Sequence, residues 1–180
     1  MAIKTFTTGE VLTAADTNTY LANSGLVFVK QQTIGNGVST VTVTGAFSTD
    51  YDDYFVTITG GVGSTTIALA LTVGATATGY LSSINYSLYS TGGVGGISGG
   101  TVSIPYAGTA DVNRIWMGMR ISNPFNAKHT LFHGQFINVD AQGTVGGLLA
   151  NTTSYTAFTI SCGAPTITGG TIRVYGYRKA

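Results

Sequence analysis

An all-β fold, an antiparallel β-sandwich or jelly roll of about 8-10 strands with a short N-terminal helix, is what this chain predicts, on three grounds. Stretch after stretch alternates apolar with polar residues at a period of two, which turns one strand face inward. Clusters of Gly, Asn and Asp separate these stretches where turns are needed. Charged residues make up only 8% of the 180-residue chain, against about 25% in average soluble proteins, while roughly one position in six is Thr. Low charge with so much Val, Ile, Thr and Tyr is the reverse of a disordered composition. Helical patterns do not alternate with the strands, which disfavours a parallel βαβ sheet.

The chain divides into an N-terminal segment with a short helix, residues 1-25, and a β domain, residues 26-180. Only the first segment carries helix signals. Thr13 precedes Ala14 and Ala15 with Asp16 three positions on, the spacing of a capping box. Asp16 also complements the helix dipole. Ala14, Asn18, Leu21 and Ala22 form a narrow, weakly apolar stripe, and Gly25 is the stop signal. A helix of about ten residues is marginal alone in water and needs a surface to lie against.

Leu26 to Gln32 starts the strands and runs into the Gly35-Asn36-Gly37 turn. Val41 and Val43 share one face of the next strand, with Thr40, Thr42 and Thr44 opposite. Phe47 to Asp53 reads as a turn region, Tyr54, Val56 and Ile58 as an inward face, and Gly60 to Ser64 as a break. Ile67, Leu69, Leu71 and Val73 alternate with alanines, which predicts a central strand. Tyr80 to Tyr89 alternates with a phase shift after Leu81, the mark of a bulge. Thr91 to Gly100 predicts a mobile loop, and Thr101 to Tyr106 an edge strand, because Pro105 cannot donate to a ladder. Asn113 to Ser122, His129 to Val139, Thr152 to Cys162 and Thr171 to Arg178 complete the set. Gly143 to Gly147 and Gly163 to Gly170 read as separators.

Chemistry is sparse in this sequence. Glu10 is the single glutamate, so a paired-carboxylate glycosidase would have to be assembled from aspartates alone. Asp50, Asp52 and Asp53 fit an Asx-type turn, since the spacing lacks the glycine and terminal glutamate of an EF-hand loop. His129 and His133 face one side of a strand without a third ligand nearby in sequence. The Gly-rich runs are not followed by Lys-Ser/Thr and do not open a helix, so they are not phosphate cradles. Cys162 reads as a small apolar core residue. No catalytic residue, metal site or cofactor is expected. With a net charge of +1 and no basic run, nucleic acid is not an expected partner. No apolar stretch approaches about 18 residues, so membrane insertion is not expected either. Tyr80, Tyr86, Tyr89 and Tyr106 surround the Gly-rich loop and offer flat amphipathic rings to stack on sugars or on a neighbouring subunit, or fill strands by β propensity alone.

The stretch FTTGEVLTAADTNTYLANSG, Phe6 to Gly25, resembles the opening of tailed-bacteriophage virion proteins, notably minor tail and fibre-like proteins. Gly9, Val11, Leu12, Ala14, Ala15, Asp16 and Asn18 match the pattern. The closing GGTIRVYGYRKA is similar to the terminal strand of the same proteins, and FSTDYDDYFVTITGG and ISNPF share the likeness. This resemblance implies a structural virion component, commonly a homotrimer, with an anchoring N-terminus and a projecting β domain. Its expected partners are itself, other tail or capsid proteins, and a host surface glycan or receptor. Its expected location is the virion, assembled in the host cytoplasm. Val11, Leu12 and Leu21 are the expected docking contacts, with Thr13 and Asp16 holding the helix that presents them. The chain departs from long fibres in having no heptads, no Gly-X-Y repeat and no shaft repeat. A tail fibre or receptor-binding-type protein is the leading expectation; a capsid decoration or cement protein and a glycan-binding module without catalysis are the alternatives.

Overall fold

The computed structural model describes residues 7–17 and 25–179. Among them one helical turn, α1 (Ala14–Asp16), precedes the strands β1 (Leu26–Thr33), β2 (Thr40–Val43), β3 (Tyr51–Thr59), β4 (Val62–Gly63), β5 (Ile67–Val73), β6 (Tyr80–Leu88) and β7 (Val94–Ser98). Then come β8 (Ile104–Asp111), β9 (Arg114–Ser122), β10 (Thr130–Ile137), β11 (Ala141–Leu149), β12 (Phe158–Ser161), β13 (Ile167–Thr168) and β14 (Thr171–Arg178). Every strand pair is antiparallel. The all-β antiparallel class with a short helical turn is therefore as expected.

One 12-stranded sheet holds every strand except β4 and β13, which pair with each other. Its branch point is β9. Arg114 to Met117 pair with β8, Gly118 to Ser122 pair with β10, and Met117 to Ser122 pair through the opposite edge with β3. One wing therefore runs β8-β5-β12-β2, and the other runs β1-β14-β3-β9-β10-β11-β6-β7. Besides its ladder partners, β8 contacts β6, β10 and β11, so the first wing folds over the inner face of the second. The sheet does not close into a barrel, because β1, β2 and β7 each pair along one edge only.

Period-two patterning decides which side chains meet between the wings. Tyr54, Val56 and Ile58 of β3, Leu69 and Leu71 of β5, and Met119 and Ile121 of β9 are all fully buried in one cluster. Each such side chain contributes about 1.5–3 kcal/mol relative to an exposed position. As expected, β5 is interior, flanked by β12 and β8. Where β3 leads to β4 and β13 to β14, Gly61 and Gly170 cross, with φ of 83° and 91°. A Cβ on Gly170 would collide with the Gly60 carbonyl, so glycine is required on grounds of both conformation and space.

Several expectations are corrected. The bulge lies in β8 rather than β6: β6 pairs with β11 without interruption, whereas the β5–β8 register shifts between Leu69 and Leu71. Pro105 sits in that bulge, which lets β8 be interior instead of an edge. Tyr106 there has φ 53°, an uncommon conformation for a bulky residue. The supposed mobile loop contains β7, and the supposed separator Gly143 to Gly147 is the middle of β11. The expected turn Phe47 to Asp53 already contains the start of β3 at Tyr51.

Candidate functional site

Side chains on the outer face of the larger wing fall into rows set by strand register. One row reads Gln135, Thr144, Asn85, Gly96 across β10, β11, β6 and β7. The next reads Ile137, Gln142, Ser87, Val94. These two rows line a groove of about 680 Å³, with Tyr86, Gly95, Phe136 and Gly143 completing its lining. That volume lies within the usual about 300–1,000 Å³ of small-molecule sites. The lining includes no charged side chain.

Between these two outward rows lies the inward-facing pair Phe136 and Gly143, whose backbone separates the groove from the core. A Cβ on Gly143 would meet the Asn85 carbonyl and lie 2.7 Å from the Phe136 ring, so the absence of a side chain lets that ring pack directly beneath β11. Phe136 in turn meets Tyr106 at 5.3 Å between ring centres. On the outer side, no hydrogen bond within the described residues engages the side chains of Asn85, Ser87, Gln135, Gln142 or Thr144. Their donors and acceptors face solvent.

The expected ligand-contacting tyrosines are not brought together. Tyr80 is a correction: it is fully buried, so it contacts core residues and not a ligand. Its hydroxyl accepts a hydrogen bond from the Val73 amide (2.9 Å) and donates one to the Thr76 carbonyl (3.2 Å). Burial pushes its pKa up to about 12. Tyr106 is half-buried against Phe136, Tyr86 borders the groove, and Tyr89 is exposed beyond the end of β6.

At the N-terminus the capping box forms as expected. The Asp16 amide donates to Thr13 Oγ1, and the Thr13 amide donates to the Asp16 carboxylate, both at 3.1 Å. The turn buries none of its residues, and Val11 and Leu12 are 79% and 49% exposed. Leu21, the third expected docking residue, lies outside the described residues.

The three clustered aspartates each hold a different partner. Asp50 is engaged by Ser48 Oγ at 3.0 Å. Asp52 accepts from Asn126 (2.7 Å) and pairs with Lys179 (2.9 Å), and these hydrogen bonds hold its pKa below the usual carboxylate value. Asp53 accepts from Ser122 and pairs with Arg120 at 3.1 Å. His133 sits opposite Arg120 on the outer face, and His129 lies in the turn before β10. No cluster of three or more metal-ligating side chains occurs among the described residues. Cys162 is buried, its thiol donating to the Pro165 carbonyl (3.0 Å), and burial raises its pKa.

Fold and groove together define a class: an antiparallel β-sandwich module with an uncharged groove on one outer face and a capped turn outside its core. No protein-family model, curated protein or solved structure matches the chain. Of the groove residues, Tyr86 alone is among the expected contact residues; the groove joins two strand pairs distant in the chain, β6–β7 and β10–β11, and the glycines of β11 hide it in the sequence.

Proposed function

We propose that this protein is a structural component of a tailed-bacteriophage virion, a homotrimeric tail fibre or receptor-binding-type protein attached through its N-terminal segment. The observation that carries this reading is the capped turn at Thr13 to Asp16, which buries nothing of its own and leaves Val11 and Leu12 exposed beside it. A segment with a satisfied cap and unburied apolar residues is suited to docking on another protein. Val11 and Leu12 supply the apolar contacts, and the Thr13–Asp16 box holds the backbone that presents them.

A second observation favours self-association. One row of the outer face places Leu131, Leu148 and Leu81 side by side across β10, β11 and β6, and the same row continues through Ser122 and Asp53 to Tyr177 and Leu26. Leu131 is 44% and Leu81 57% exposed. Two exposed leucines flanking the half-buried Leu148, with the nearby Asp53 charge paired to Arg120, suit contact with further copies.

Deleting Met1 to Ser24 should leave a folded β domain that no longer joins particles, measured by circular dichroism and by immunoblotting of purified virions. Unfolding of the truncated protein, or its undiminished incorporation, would overturn the anchoring role. Antibody against the β domain should mark the tail on intact virions; labelling over the whole head would favour a capsid decoration protein instead.

A further inference from the structure

We infer that the groove across β10, β11, β6 and β7 binds a neutral, polyhydroxylated ligand, a segment of a glycan. The inference deepens the attachment reading, on which it rests for the source of the ligand. Neither the tyrosines nor the N-terminal segment carries it.

The chemistry of the lining selects the ligand. Asn85, Gln135 and Gln142 each present two N–H donors and a carbonyl acceptor, and Ser87 and Thr144 add hydroxyls that donate and accept. None of these groups is engaged elsewhere among the described residues. Gln135, Thr144 and Asn85 are direct cross-strand neighbours, as are Gln142 and Ser87, so the polar groups stand about 5 Å apart. A chain of sugar hydroxyls, each both donor and acceptor, matches such an array at many points.

Charged ligands lack a partner there. Charged side chains stand outside the lining: exposed Asp140 precedes Gln142 by two positions, and Arg120, on the outer face of β9, is already paired with Asp53. At the groove ends, exposed Ile137 and Val94 offer apolar surface for the C–H faces of sugar rings. An extended peptide is the rival occupant. It would add to the open edge of β7 through main-chain hydrogen bonds, which do not require the amides of β10 and β11.

The test uses the full chain and a panel of neutral oligosaccharides built from hexoses and N-acetylhexosamines, followed by saturation-transfer NMR and calorimetric titration. A sialylated oligosaccharide and an uncharged extended peptide serve as comparison probes. At least one neutral oligosaccharide should bind, and Gln142→Ala and Asn85→Ala should each weaken it by about tenfold. Both residues are exposed, so the melting temperature should not change. Binding retained in the double variant, binding by the sialylated probe or the peptide alone, or no binding across the neutral panel would each overturn the inference. The particle-attachment assay is independent of these readouts: virions that still incorporate the double variant keep the attachment reading whatever the groove binds.

Discussion

The Tyr80 hydroxyl shows how one polar atom is accommodated in the core. It accepts from the Val73 amide and donates to the Thr76 carbonyl, so it closes the turn between β5 and β6 from inside. Tyr80→Phe should keep the ring packing but leave the Val73 N–H without a partner, at a cost of about 1–3 kcal/mol in urea unfolding. Alkaline pH tests the same site. The folded pKa of about 12 lies above the ordinary value of 10.0, so the folded state binds more protons between these values. Stability from Tyr80 is therefore complete below pH 10 and declines as pH rises toward 12. Spectrophotometric titration of the phenols should show a late-ionising fraction that disappears in Tyr80→Phe; loss of no such fraction would contradict this account. Nearness to the Gly-rich loop suggests ligand contact for Tyr80, and alternation marks a strand's two faces without saying which one the first wing covers.

At the scale of elements, β11 and β7 are the informative pair, because both are rich in glycine. Glycine weakens a strand by entropy, yet in β11 it is what close packing demands: a Cβ at Gly147 would meet the Leu81 carbonyl and lie 2.9 Å from Ile104. Both edges of β11 are paired, and Val145 and Leu149 are fully buried. In β7, by contrast, one edge is open and Val94 is 87% exposed. Hydrogen exchange should therefore separate them, with Thr144 to Gly147 protected at least about a hundredfold more than Val94 to Ser98. Equal exchange in the two segments would mean that β11 is not a stable interior strand. The sequence marks both stretches with the same residue, and the difference arises from what lies on either side of them.

For the whole molecule, the row of outward leucines is the decisive surface. Leu131, Leu148 and Leu81 come from three strands and become neighbours only through the β10–β11 and β11–β6 registers. If copies associate through this row, sedimentation should give three times the 18.5 kDa chain mass. Leu81→Glu should then shift the protein to monomer without lowering secondary structure by circular dichroism, because this side chain is already exposed. A wild-type monomer at micromolar concentration would count against the trimer. The groove lies on the same face beside this row, so the substitution at Leu81 also reports whether assembly and ligand binding are separable.

By itself the sequence determined much of the local order: where most of the strands run, that Tyr54, Val56 and Ile58 of β3 turn inward, and that Thr13 and Asp16 cap a helical turn. Those features depend on neighbours within a few positions, where side-chain period and hydrogen-bonding reach are fixed by the backbone. Tertiary structure alone decided that Pro105 sits in a bulge of an interior strand, that Tyr80 is core, and that Gly143 to Gly147 is part of a strand. It also assembled the groove from Asn85, Gln135 and Gln142. The physical reason is that strand pairing joins segments distant in the chain, and alternation specifies a strand's two faces without specifying its partners.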